Sequence, residues 1–412
     1  MSRATPLLPC ALVLILASGC STEPSGSEPL LEALPRSLSA AEQQVIDAGN
    51  QFTFDLFREA TRDLPPEKNA FLSPFSASMA LGMALNGAGG ETFEAMRSAL
   101  RLGTAPLSEI NQGYRDLLDL LGGLSRSTEL AVANSVWSDK GFPILPSFVT
   151  AARTFFDAEA RSLDFRDPAT VATINSWVGE KTRNESPKLL DEIRQDEVAF
   201  LINAVYFKGS WRDGFDRGRT RPEPFHGGDG STRDVSMMNR EPGPLRYARG
   251  SNYEAVELLY GNGAFAMTVI LPETGTTPAE VLSQVDAGAW RDQRALFVEQ
   301  KLGLKVPKFR LEYERKLNAD LTALGMGIAF DGSRADLYGI ADVRPERLFI
   351  SRVLQKTFVD VNEEGTEAAA ATVVGVGVTS APAWFVVDRP FLLVIHERLS
   401  GTILFIGQIN SL

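Results

Sequence analysis

Asp360-Val-Asn-Glu-Glu-Gly-Thr-Glu-Ala-Ala-Ala-Ala-Thr-Val-Val-Gly-Val-Gly-Val-Thr-Ser380 is the most unusual run in the chain. Laid out as a strand, one face carries Thr366, Ala368, Ala370, Thr372, Val374, Val376 and Val378, all small or β-branched and uncharged. The other carries Glu367, Ala369, Ala371, Val373, Gly375, Gly377 and Thr379. No proline occurs from Asn362 to Ser380, so every residue there can donate to a ladder. Such a run can enter the middle of a sheet without burying a charge or losing a backbone bond. Two plainer readings compete. Glu-Ala-Ala-Ala-Ala is a strong helix former, and Gly375 and Gly377 suit a flexible linker.

Upstream, Ser39-Ala-Ala-Glu42 has capping-box spacing, with Ala48, Phe52 and Leu56 at helical intervals, predicting a helix over Ala40–Asp63. Ser73-Pro74 opens a second helix that Gly87 and Gly89 end. Further helices are expected at Thr92–Leu100 and Leu107–Leu121. Strands then dominate. Val198–Phe207 is nearly all apolar, as a strand covered on both faces should be. Ala264–Leu271 and Lys305–Tyr313 read as strands, and Phe391–His396 with Thr402–Gln408 as a C-terminal hairpin. With no repeat and no second linker, the chain reads as one α+β domain over 38–412.

The chain has 412 residues, 44% hydrophobic and 23% charged, with net charge −11. This diffuse acidity argues against a nucleic-acid partner, which needs concentrated Lys and Arg. Arg3 is the only charge in Met1–Gly19, which ends in the apolar run Ala11–Leu16 and then Ala17-Ser18-Gly19-Cys20. That is an export signal too short for a stable span. The small residues before Cys20 resemble a bacterial lipobox, which implies cleavage before Cys20 and lipidation of it. A plain secretory signal is the alternative. Only Cys10 and Cys20 exist, so the mature chain has no internal disulfide, zinc-thiolate site or buried catalytic thiol. Residues 21–35 read as a tether, giving 1–19 signal, 20–37 tether and 38–412 domain.

Enzyme chemistry is hard to find. There are two histidines, His226 and His396, both read as structural. No HExxH, GxxxxGK[ST] or GxSxG occurs, and no carboxylate pair stands out. No cofactor or metal is expected.

The surroundings of 360–380 resemble the serpin family. Asn69-Ala-Phe-Leu-Ser-Pro-Phe-Ser76, Ala84-Leu-Asn-Gly-Ala-Gly-Gly-Glu-Thr92, Leu201-Ile-Asn-Ala-Val-Tyr-Phe-Lys-Gly-Ser-Trp211, Val235-Ser-Met-Met238, Val306-Pro-Lys-Phe309 and Phe385-Val-Val-Asp-Arg-Pro-Phe391 are similar to its motifs, in order. Asn362–Ala371 resembles the hinge of inhibitory members. The likeness implies a single-domain fold of helices on three β-sheets, with an exposed reactive loop. It also implies suicide-substrate trapping of a serine-type endopeptidase, or a cysteine protease, followed by loop insertion. The hinge would be Glu363, Glu364, Gly365, Thr366, Glu367, Ala368, Ala369, Ala370 and Ala371. Counting Glu363 as the first residue, the family's spacing puts the scissile bond at the seventeenth, Thr379–Ser380, with Val378 or Ser380 as alternative registers. Small Thr379 implies elastase-like or subtilisin-like targets.

By the same likeness Ser73 and Asn203 lie under the opening sheet, and Trp211 and Lys308 at its head, where Lys308 can pair with Glu363; a solvated pair there would contribute little. Many serpins have His where this chain has Gln355, so that network should not respond to pH. Leu107–Leu121 holds Arg115 among Glu109, Asp116 and Asp119, so no heparin-like cofactor is expected. The expected protein is monomeric, exported and held in the cell envelope by lipid, at the outer membrane or cell surface, or else is extracellular. A non-inhibitory serpin (carrier, chaperone or decoy substrate) is the alternative function; a purely structural envelope lipoprotein is a third.

Overall fold

The computed structural model describes residues 28–183, 188–366 and 383–412. Expectations for Cys20, for hinge residues Glu367 to Ala371 and for the Thr379–Ser380 bond lie outside the described residues.

Helix α1 (Ala40–Thr61) opens on the anticipated capping box. Ser39 Oγ accepts the Glu42 N–H, and the Glu42 carboxylate accepts the Ser39 N–H, which satisfies two orphan donors. Strand β1 (Ala70–Leu72) leads into α2 (Pro74–Leu85), with proline where a missing N–H is harmless. Every residue of α2 is buried, so it has no polar face. Helices α3 (Gly90–Ala99) and α4 (Leu107–Gly123) follow. Then come β2 (Thr128–Asp139), α5 (Pro146–Phe156), β3 (Glu159–Leu163) and α6 (Ala169–Lys181). Strands prevail from β4 (Ala199–Ser210) through β5 (Arg221–His226), β6 (Thr232–Arg249), β7 (Tyr253–Tyr260) and β8 (Phe265–Pro272). Helices α7 (Pro278–Gln284) and α8 (Ala287–Ala295) interrupt them. The rest is β9 (Val298–Pro307), β10 (Phe309–Lys316), β11 (Arg352–Val361), β12 (Gly365–Thr366), β13 (Trp384–Val386) and the hairpin β14 (Phe391–Glu397) and β15 (Ile403–Ile409).

One sequence expectation needs correcting. Lys305–Tyr313 is not one strand but the junction of β9 and β10, which belong to different sheets. Pro307 has no N–H to extend the ladder, and the Lys308 N–H turns to Ser236 O at 2.8 Å.

Hydrogen bonds gather the strands into two arrays. The smaller runs β10-β11-β4-β2-β3, with β12 beside β4. The larger runs β1-β15-β14-β8-β7-β6-β9-β13, with β5 on β6. It holds two of the three expected sheets. The eighteen-residue β6 pairs with β5 and β9 first, then with β9 and β7, shifting register between Arg240 and Gly243. Helix α2 lies between the arrays, in a core where Phe71 and Phe405 stack at 5.3 Å. A smaller apolar cluster joins α6 to the outer face of β2 and β4, with Trp137 edge-on to Trp177.

Neither histidine is placed as a general base. His226 is exposed beside Thr232. His396 is wholly buried, 3.0 Å from Thr268 Oγ1 and edge-on to Trp290. Burial, and then the Arg294 guanidinium, lower its pKa from 6.5 to about 3. The folded state therefore resists protonating it. Its contribution to stability is complete above pH 6.5 and is lost as pH falls toward 3, by up to ~1.4 kcal/mol per unit. Urea unfolding between pH 7 and 5 should show this slope, and His396→Gln should flatten it.

Candidate functional site at the central seam

Strands β4 and β11 run parallel, but their ladder is short, from Arg352 opposite Phe200 to Lys356 opposite Ala204. Further up β4 the neighbour is β12, antiparallel, with Gly365 opposite Ser210 and Thr366 opposite Gly209. The chain thus leaves β11, turns through Asn362–Glu364 and comes back down against β4. The Asn362 N–H donates to Gly365 O at 3.0 Å to close the turn. Gly365 has φ 136°, and a Cβ there would lie 2.2 Å from Gly209 O and 2.7 Å from Trp211 N. Only glycine fits.

Trp211 anchors this turn. Its ring stacks on Tyr260 at 4.4 Å. Its indole N–H donates to Asn362 O, and its backbone N–H to Glu364 O, both at 2.9 Å. The Phe215 N–H reaches Glu363 O at 2.8 Å. The Glu363 carboxylate accepts from Lys308 Nζ and from Thr220 Oγ1, each at 2.9 Å. Burial acts to raise its pKa, but the Lys308 ammonium, its own backbone and the Thr220 hydroxyl outweigh burial and hold it below the usual carboxylate range. The anticipated Lys308–Glu363 pair is present but not fully solvated. The Glu363 side chain is 7% exposed against 45% for Lys308, so loss of Lys308 leaves a buried carboxylate underserved. Arg217 pairs with Glu364 at the rim.

Farther down the seam, ~23 Å along β4, Ser73, Asn203 and Gln355 meet. Gln355 Oε1 accepts the Ser73 N–H at 2.9 Å, and its Nε2 donates to Ser73 O at 2.8 Å and Asn203 Oδ1 at 2.9 Å. Ser73 Oγ donates to Leu404 O at 2.7 Å. Asn203 Nδ2 donates to Asn134 Oδ1 at 2.7 Å and also to Ser76. All five side chains are buried. They tie β4, β11 and β2 to the N-terminus of α2 with neutral groups only, and Asn134 Nδ2 has no partner among the described residues.

The structure therefore places Ser73, Asn203 and Gln355 in one cluster, and Trp211, Lys308 and Glu363 in another at the head of the seam. Ser76, Asn134, Thr220 and Arg217 were missed. Asn134 joins because it is cross-strand from Asn203, a register that spacing alone does not reveal. On α4, Arg115 is paired with Asp119 at 3.0 Å.

The sequence profile described as Serpin (serine protease inhibitor) matches residues 47–412. Porcine (Sus scrofa) leukocyte elastase inhibitor is 35% identical over 386 residues, covering 90% of this chain and all of the relative. The crystal structure of the thermophilic serpin tengpin in its native state superposes with a TM-score of 0.83 at 28% identity, covering 93% of this chain and 98% of that one. Thyroxine-binding globulin in complex with thyroxine superposes with a TM-score of 0.81 at 26% identity, covering 90% and 100%. The chain belongs to the serpin family.

Proposed function

We propose that this serpin inhibits serine-type endopeptidases by covalent trapping, followed by insertion of the run after Glu364 between β4 and β11. One observation carries this reading. The first two residues of the run, Gly365 and Thr366, already pair with β4 in the antiparallel sense, at a seam whose β4–β11 ladder stops at Lys356.

Continued residue by residue, that register fits the side chains available. Glu367 comes opposite Lys208, an opposite-charge cross-strand pair. Ala368 and Ala370 come opposite Phe207 and Val205, which pack into the main core. Thr372 comes opposite Asn203, where its hydroxyl can join the neutral amide cluster in the depth of the seam. Gly375 comes opposite Phe200, whose ring has Phe165 stacked on it at 4.9 Å and the Arg352 guanidinium 4.7 Å from its centroid, so a larger residue there would compete with both. On the order of ten new ladder bonds at ~1 kcal/mol net each, plus apolar burial, would drive the step. The starting form is then held kinetically.

The chemistry preceding insertion is acyl transfer. The protease nucleophile attacks the Thr379 carbonyl carbon, and the Thr379–Ser380 C–N bond breaks. The Ser380 amine leaves with a proton, and Thr379 stays esterified to the protease; a cysteine thiolate could attack in the same way. Small Thr379 favours elastase-like and subtilisin-like proteases. The elastase inhibitors among the relatives support that choice. The pairing of Arg115 with Asp119 on α4 supports independence from a heparin-like cofactor. The lipobox-like run before Cys20 supports an exported bacterial protein anchored by lipid. The non-inhibitory alternative is less well supported, since charged or bulky residues would spoil a hinge, and here the hinge positions Thr366, Ala368 and Ala370 carry small, uncharged residues.

Incubation with elastase-like and subtilisin-like proteases should give an SDS-stable complex, whereas clean cleavage without one would sink the inhibitor reading. Thr366→Arg would force a charge into the core face and should turn inhibitor into substrate with unchanged cleavage rate. Gly375→Leu tests the register: it should raise severalfold the moles of serpin consumed per mole of protease, and no change would refute the pairing with Phe200. The protein nicked at Thr379–Ser380 should melt well above the intact form.

A further inference from the structure

Among the described residues, four large apolar side chains stay well exposed: Leu30, Leu296, Val298 and Trp384. Trp384 differs from the others in its setting. It is 40% exposed on β13, the last strand of the larger array, which pairs with β9 alone among the described strands. Its ring lies flat on β9, because Gly303 beneath it has no side chain; a Cβ there would come 2.4 Å from Trp384 Cδ2. The Lys305 ammonium sits 5.7 Å from the ring centroid and is held there by both Glu223 oxygens, at 2.6 and 2.9 Å. Backbone bonds from the Gly303 N–H to Ala383 O (2.9 Å) and from the Val387 N–H to Lys305 O (3.0 Å) fix the strand on both sides. The indole is thus rigidly presented, with one face packed and the rest in water. Exposure alone would be ordinary; it is the fixed setting that offers an interface a preorganised aromatic anchor.

We propose that Trp384, backed by Gly303 and Lys305, is a secondary docking point for the target protease, taking an apolar side chain from the rim of its cleft. The occupant follows from chain length, given the scissile bond assigned above. Ser380 and Trp384 are four residues apart, a span of at most ~14 Å. A protease of ~220 residues has a radius of gyration of about 17 Å. An enzyme holding the Thr379–Ser380 bond in its cleft therefore comes within reach of Trp384, where its rim can cover the ring. The site lies on the leaving-group side of the bond, so it would act on recognition and not on loop insertion.

The test compares wild type, Trp384→Ala and Trp384→Phe. Against a protease that forms the covalent complex, Trp384→Ala should lower the second-order rate of complex formation about tenfold, at unchanged stoichiometry and unchanged thermal unfolding. Trp384→Phe, which keeps a ring on Gly303, should recover most of the rate. Binding to the same protease with its catalytic serine replaced by alanine should weaken by a similar factor. Equal rates and equal affinity for all three proteins would overturn the proposal, as would a loss in Trp384→Ala that tracks altered stoichiometry or unfolding. If wild type is cleaved without forming a complex, the inhibitor reading fails while docking is still decided by kcat/KM for cleavage: a tenfold drop in Trp384→Ala supports it, and no drop overturns it.

Discussion

The amide pair Gln355–Asn203 joins the two central strands near the point where their ladder ends. Backbone pairing stops at Lys356 and Ala204, one residue beyond that side-chain bond. Ser73 holds Gln355 through both its N–H and its C=O, so the strand junction is also fastened to the N-terminus of α2. Because α2 is buried throughout and Ser73 is bonded to β15 through Leu404, the junction rests on the buried core. Every member is neutral. Parting the strands exchanges hydrogen bonds and neither creates nor exposes a charge, which keeps the cost far below that of opening an ion pair in the same place.

The head of the seam is built on the opposite principle. There the turn Asn362–Glu364 is held by one aromatic ring, several backbone bonds and a carboxylate shared between an ammonium and a hydroxyl. The charged group is at the edge, where Lys308 keeps contact with water, and the neutral groups are in the depth. This ordering follows from solvation: the deeper a group lies, the more an unmatched charge costs.

Much of this was legible in the chain. The capping box at Ser39, the proline-started helix at Pro74, the all-apolar strand of β4 and the C-terminal hairpin each rest on local rules, and the structure has them. Ser73, Asn203, Gln355, Trp211 and Lys308 were singled out by likeness of motif, and they fall into two clusters on one seam. What could not be read locally depends on register or on packing. Lys305–Tyr313 looks continuous because Val306, Phe309, Leu311 and Tyr313 favour strand; the break comes from the missing N–H of Pro307 and a change of partner sheet. Asn134 and Thr220 carry no mark in sequence, since each matters only through what lies across from it. The Lys308–Glu363 pair was anticipated, but the cover over the Glu363 carboxylate shows only in three dimensions.

The break at Lys308 has a mechanical side. A single residue separates the end of β9 from the start of β10, so Pro307 and Phe309 can never be more than about 7 Å apart. Strand β10 is zipped to β11 along its whole length, and β9 carries β13. The two arrays are therefore tied here by a short covalent link, beside the contacts at Trp211–Tyr260 and Thr357–Phe71. Any sideways travel of the β10–β11 pair must be taken up within this one-residue link.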